Sequence, residues 1–171
     1  MARLLSLLLL ALVMNSCSVG RMMVPQSDIE AYDVGSEASE LRILVAARDS
    51  EFKVDVAGRV GTALAQDDVY VKFIGVDQLK DEDSASWSAV IVMTACLAWG
   101  MDSATESFLE KNDGPNVVVL ITSGEGDWTP DMEGRKFDAV TSASVMTNAG
   151  VVAEEILDKV RTIIARSGSG A

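Results

Sequence analysis

Two runs in this chain, Ala89–Thr94 (AVIVMT) and Asn116–Thr122 (NVVVLIT), are apolar at almost every position and rich in branched residues. A strand with one wet face alternates apolar and polar residues, whereas a strand without alternation must be covered on both faces. Such strands belong in a parallel sheet flanked by helices, so these two runs narrow the fold class before anything else is considered. Leu41–Ala46 (LRILVA) is a third run of the same kind, Val69–Ile74 (VYVKFI) alternates enough for an outer strand, and Phe137–Thr141 is a shorter fifth. Between them lie helical stripes. Val56, Val60 and Leu64 recur at helical spacing within Val54–Gln66, with Ala57 and Ala63 beside them. Asp102–Lys111 reads as a helix capped by Asp102 or Ser103. Ala149–Ala165 aligns Val152, Ile156, Val160 and Ile163 on one face. Two crossovers are lean: Gly75–Ser88 has room only for a short helix around Val76–Lys80, and Ser123–Lys136 reads as a long loop. The expectation is an α/β domain with a five-stranded, doubly wound parallel sheet of order 2-1-3-4-5, right-handed crossovers, and reduced second and fourth helices.

The chain begins differently. After Arg3, Leu4–Met14 (LLSLLLLALVM) is an apolar stretch too short to span a bilayer but suited to the hydrophobic region of a secretory leader. It runs into Met14-Asn15-Ser16-Cys17, which resembles a bacterial lipoprotein signal: Ser16 fills the small position before the cysteine, while Met14 and Asn15 depart from the commonest pattern. The resemblance implies a signal peptide over residues 1–16, a lipid (diacylglycerol and palmitate) on Cys17, and an extracytoplasmic, membrane-anchored protein of the cell envelope. The alternative is an ordinary cleaved leader with Cys17 incidental. Residues 17–40 carry no sustained apolar period and mix Gly, Ser, Pro and acids, so they read as a flexible tether. The folded domain is then 41–166, followed by an unstructured tail at 167–171.

Composition removes several functions. With 14 Lys+Arg against 26 Asp+Glu, the net charge is −12 and no basic stripe offsets it, which disfavours nucleic-acid binding. The chain has no histidine, so Ser-His-Asp and Cys-His mechanisms and all histidine metal sites are excluded. Of its two cysteines, Cys96 lies in an apolar run and reads as a buried thiol, leaving too few thiolates for a zinc or iron–sulfur site. No catalytic nucleophile–base pair emerges; the carboxylates of Glu125 and Asp127 read as a solvated turn.

From about Arg42 to Ala165 the chain resembles the flavodoxin-like superfamily. The likeness rests on strand order, on Thr122-Ser123-Gly124-Glu125-Gly126-Asp127-Trp128 after the fourth strand, and on Phe137–Ser144 leading into the last helix. It implies a ligand crevice beyond the carboxyl ends of the strands and FMN held there between aromatic residues. Here those would be Trp99 and Trp128, with Thr122, Ser123 and Gly124 lining the fourth loop. Both tryptophans also read as lids over the core, as Trp87 does. The phosphate turn of that family is rich in Gly, Ser and Thr, whereas this chain has Ala47-Arg48-Asp49-Ser50-Glu51-Phe52-Lys53. Ser50, with Arg48 and Lys53, would make a weaker anion site offset by Asp49 and Glu51; alternatively Ser50 caps the helix while Phe52 packs beneath it. A second likeness concerns Asp138-Ala139-Val140-Thr141-Ser142-Ala143-Ser144, which resembles the acceptor sequence of exported proteins that carry FMN through a phosphoester, and implies Ser144 as the attachment point. Such Ser/Ala runs also serve as helix caps. Two functions therefore stand side by side: a flavin-linked electron-transfer or accessory module, and a cofactor-free module that binds an envelope protein or other ligand.

Overall fold

The computed structural model describes residues 26–97 and 100–168. Strands β1 (Tyr32–Val34), β2 (Leu41–Ala47), β3 (Val69–Gly75), β4 (Ala89–Leu97), β5 (Gly100–Met101), β6 (Val117–Ser123) and β7 (Asp138–Ala143) alternate with helices α1 (Glu51–Leu64), α2 (Ser103–Asn112) and α3 (Ala149–Gly168). The sheet runs β1-β3-β2-β4-β6-β7, with β5 folded back on β4. The five expected strands are β2, β3, β4, β6 and β7, all mutually parallel, and their order is the expected 2-1-3-4-5.

The apolar runs follow from this layering. Along β4, Ala89, Ile91 and Met93 face one apolar layer and Val90 and Val92 the other; along β6, Val118 and Leu120 oppose Val117, Val119 and Ile121. Helices α1 and α3 cover the first face through Val56, Val60, Leu64, Val152, Ile156, Val160 and Ile163. The second face is more thinly covered. Short 3₁₀ turns, Val76–Asp81 and Ser84–Ser86, replace the second helix, and Phe108 and Leu109 of α2 cover the centre. Trp87 completes the layer: its Nε1 donates to Glu82 (3.0 Å), the Arg42 guanidinium lies 4.9 Å above the Tyr70 ring and 5.4 Å above Trp87, and Lys72 pairs with Glu82 (2.8 Å). The stacked cations protect apolar surface that a full helix would otherwise hide. No helix covers 124–137. Among the described residues no helix is long and apolar enough to cross a membrane.

Two expectations are corrected. Within the supposed tether, Tyr32–Val34 pairs antiparallel with β3, Tyr32 stacks on Phe73 (4.3 Å between centroids), and Ile29 and Val34 pack against the core. A three-residue edge strand is too short to show a period, which is why composition alone reads this segment as loop. At the other end α3 continues through Gly168, with Ser167 Oγ donating to the Ile163 carbonyl (3.2 Å). The signal peptide and Cys17 lie outside the described residues.

Candidate functional site

Parallel strands of this order bring the carboxyl ends of β2, β4, β6 and β7 to one edge of the sheet, and the loops that leave them form the crevice where such folds bind ligands. The loop after β2 holds the densest chemistry. Arg48 continues the strand by donating its N–H to the Met93 carbonyl (3.1 Å), and its side chain is only 7 % exposed. A buried guanidinium needs carboxylates, and three separate segments provide them. Asp28 takes Nη1 at 2.8 Å, Asp77 takes Nη2 at 2.9 Å, and both oxygens of Asp102 lie 2.9 Å from Nη2. Burial alone would lower the guanidinium's proton affinity, but the bonds to Asp102 and Asp77 and the charges of Asp102 and Asp28 more than offset it and raise it further.

Each aspartate also satisfies backbone. Asp102 caps α2 through Ala104 N–H (3.0 Å) and Thr105 N–H (3.4 Å), and Asp28 accepts from Val76 N–H and Asp77 N–H, both at 3.0 Å. The segment around Asp28 lies as a strap along the loop after β2. Ile29 N–H donates to the Ala47 carbonyl (3.4 Å), and Asp49 N–H donates to the Ser27 carbonyl (2.7 Å). Gly75 makes room for it, because a Cβ there would fall 2.4 Å from Asp28.

Two residues where this loop enters α1 behave differently. Ser50 caps α1, its Oγ accepting from Lys53 N–H (3.3 Å), and Phe52 is buried below. Lys53 is 4 % exposed and makes no ion pair among the described residues. Burial, reinforced by the charge of Arg48, pushes its ammonium down to about 8.

The loop after β6 is a tight turn. Ser123 Oγ accepts from Gly126 N–H (2.9 Å), and Gly126 adopts φ +82° with its absent Cβ directed 2.2 Å from Ala143 N. Gly126→Ala is therefore expected to cost about 2 kcal/mol of unfolding free energy, measured by urea denaturation. Thr122 is buried, its hydroxyl donating to the Thr94 carbonyl (3.3 Å), so it serves the sheet rather than the crevice. Gly124 is exposed, with no neighbour near its Cβ position. Trp128 is half-buried and packs against the apolar layer beneath α2. Ser144 is exposed immediately beyond β7, and Ser142 is buried. Trp99 lies outside the described residues. The strand ends thus gather Ser50, Ser123, Gly124 and Ser144 at one edge, but Asp28 and Asp77 were not legible as members of the site. The signal for them was Arg48 itself, a base directly following the buried apolar residues 43–47.

These residues do not fit the phosphate of FMN. The turn after β2 has no glycine, its Asp49 N–H is taken by Ser27, its arginine is enclosed by aspartates, and Asp49 and Glu51 point acids into solvent beside it.

The topology and the strand-end crevice define a flavodoxin-like α/β domain. No protein family and no curated protein matches the sequence. Among solved structures the chain is similar to a metal-soaked flavodiiron core from Synechocystis, with a TM-score of 0.50 at 12% identity over 74% of this chain; it spans 37% of that protein. It is also similar to an oxidoreductase from Corynebacterium diphtheriae, with a TM-score of 0.53 at 12% identity, covering 75% of this chain and 99% of that one. At this identity the likeness establishes the fold.

Proposed function

We propose that this protein is a cofactor-free, flavodoxin-like binding module of the cell envelope, exported by its leader and held to the membrane by a lipid on Cys17. One observation carries the reading: the turn that would cradle a flavin phosphate is closed by the chain's own strap, through Ser27 and Asp28. The apolar leader and the cysteine that follows it support the envelope location. Purified full-length protein is expected to be colourless and to leave the fluorescence of added FMN unquenched. Stoichiometric quenching with a dissociation constant below about 1 μM would overturn the reading.

A second reading, a flavin-linked electron carrier, is favoured by a separate observation. Ser144 is exposed at the end of β7 within its acceptor-like sequence, and attachment there by a phosphoester would need no phosphate turn. The flavodiiron core and the oxidoreductase to which the chain is similar accord with it. In that case co-expression with a flavin transferase yields a yellow protein whose colour survives denaturation and is lost in Ser144→Ala; an unchanged intact mass eliminates this alternative.

A further inference from the structure

Where a second helix would lie, the short turns leave a cavity. Between the 3₁₀ turn Val76–Asp81 and α2 is a space of about 440 Å³, floored by the buried side chains of Leu79 and Phe108. That volume lies within the range that holds a small organic ligand. Its two walls are pinned to each other at both ends. At one end Arg48 bonds Asp77 of the turn and Asp102, the cap of α2, each at 2.9 Å; at the other, Ser84 N–H donates to Asn112 Oδ1 (2.8 Å). Walls held in this way keep the cavity open without a ligand, which lowers the cost of binding one.

The polar side chains that face the cavity divide by whether the protein already uses them. Asp77 is bonded to Arg48, Glu82 accepts from Lys72 Nζ (2.8 Å) and Trp87 Nε1 (3.0 Å), and the Asn112 amide is divided between Ser84 N–H and the Phe108 carbonyl (3.1 Å). The side chains of Lys80, Ser107 and Lys111 make no hydrogen bond or ion pair among the described residues. Lys80 comes from the turn, Ser107 and Lys111 from α2, so the unused groups stand on both walls. All three are donors, two of them charged. Asp77, whose cation is shared with other aspartates, lies at the end beside Asp102, away from Lys111. Two ammoniums and a hydroxyl above an apolar floor match a carboxylate on an apolar body.

We infer that this cavity binds a small organic anion, its carboxylate held by Lys80, Lys111 and the Ser107 hydroxyl and its apolar part resting on Leu79 and Phe108. The inference rests on the binding-module reading and gives it a location and a ligand class. The cavity is on the face covered by α2, whereas the turn that would meet a flavin phosphate leads into α1 on the other face.

The test titrates para-trifluoromethylbenzoate into the full-length chain and follows its fluorine NMR signal, with the uncharged para-trifluoromethylbenzamide and the cationic para-trifluoromethylbenzylamine run beside it. The net charge of −12 repels anions in general, so saturable binding of the benzoate reports a local site. The benzoate is expected to saturate, and the amide and the amine to bind at least about fivefold more weakly. Lys80→Gln with Lys111→Gln should weaken the benzoate at least about fivefold, and Ser107→Trp, which fills the cavity, should abolish its binding. Arg135→Gln with Lys136→Gln removes the same charge outside the cavity and should leave binding unchanged. All five positions are exposed, so the circular dichroism spectrum of each variant should match the parent. Equal losses in the two double variants would overturn the proposal, since the lysines would then act through net charge alone. Equal binding of the three probes would overturn it too, as would a benzoate signal that does not saturate by about 10 mM. FMN titration on the same samples keeps the two readings apart. Flavin uptake with retained benzoate binding overturns the cofactor-free assignment but not the cavity; a protein that takes up neither overturns the cavity alone.

Discussion

Replacing Arg48 by methionine is expected to lower the unfolding free energy by about 3–5 kcal/mol, the largest effect of any single substitution considered for this protein. Methionine fills much of the same volume but leaves Asp28, Asp77 and Asp102 facing one another around an apolar side chain. The measurement is urea denaturation followed by tryptophan fluorescence. Adding Asp102→Asn to the same variant should recover part of the loss, because asparagine still caps α2 while removing one buried charge. A loss below about 1 kcal/mol would mean that the cluster is solvated and the strap weakly held. Hydrogen exchange at Asp49 N–H reports the strap directly: it should quicken in Arg48→Met, as the Ser27 carbonyl moves away.

Lys53→Met should act in the opposite direction. The folded protein holds this ammonium at about 8, against an ordinary lysine value of 10.5. Below pH 8 the lysine is charged both folded and unfolded, so the full burial cost, about 3 kcal/mol, is present. Between pH 8 and about 10.5 the unfolded chain holds a proton that the folded chain has released, so stability rises with pH and the cost fades. Methionine removes the charge, so the variant should be more stable at pH 7 by up to about 3 kcal/mol and lose the rise above pH 8. Equal stabilities at pH 7 and parallel pH profiles would show that the ammonium reaches water. The pair of substitutions separates two neighbouring cations: one holds three segments together, the other is tolerated.

How much of this was legible follows from which forces leave a pattern in sequence. The sheet order could be read because β4 and β6 are buried on both faces, and burial on both faces forces an uninterrupted apolar run. Ser50 and Asp102 were legible as caps because capping needs a short polar side chain immediately before a helical stripe. The thin second crossover was legible from its length. The strap was not, because it is held by backbone bonds and by one aspartate whose partners lie 20 to 49 positions away. Neither hydropathy nor spacing records such contacts. Thr122 is a related case: it sits at the end of a strand, where its buried hydroxyl donates to the Thr94 carbonyl, a bond that hydropathy and spacing likewise leave unrecorded.

The strap also sets an order of events during synthesis. Ser27 and Asp28 are among the first described residues to be made, but Asp49, Val76 and Asp77, to which they bond, follow later, and Asp102, which completes the charge around Arg48, later still. Contacts that close long loops must wait for both ends to exist. The beginning of the domain is therefore docked after the middle of its sheet has formed, and in a chain interrupted before Asp102 the Arg48 guanidinium would have Asp28 and Asp77 but lack the most buried of its three partners.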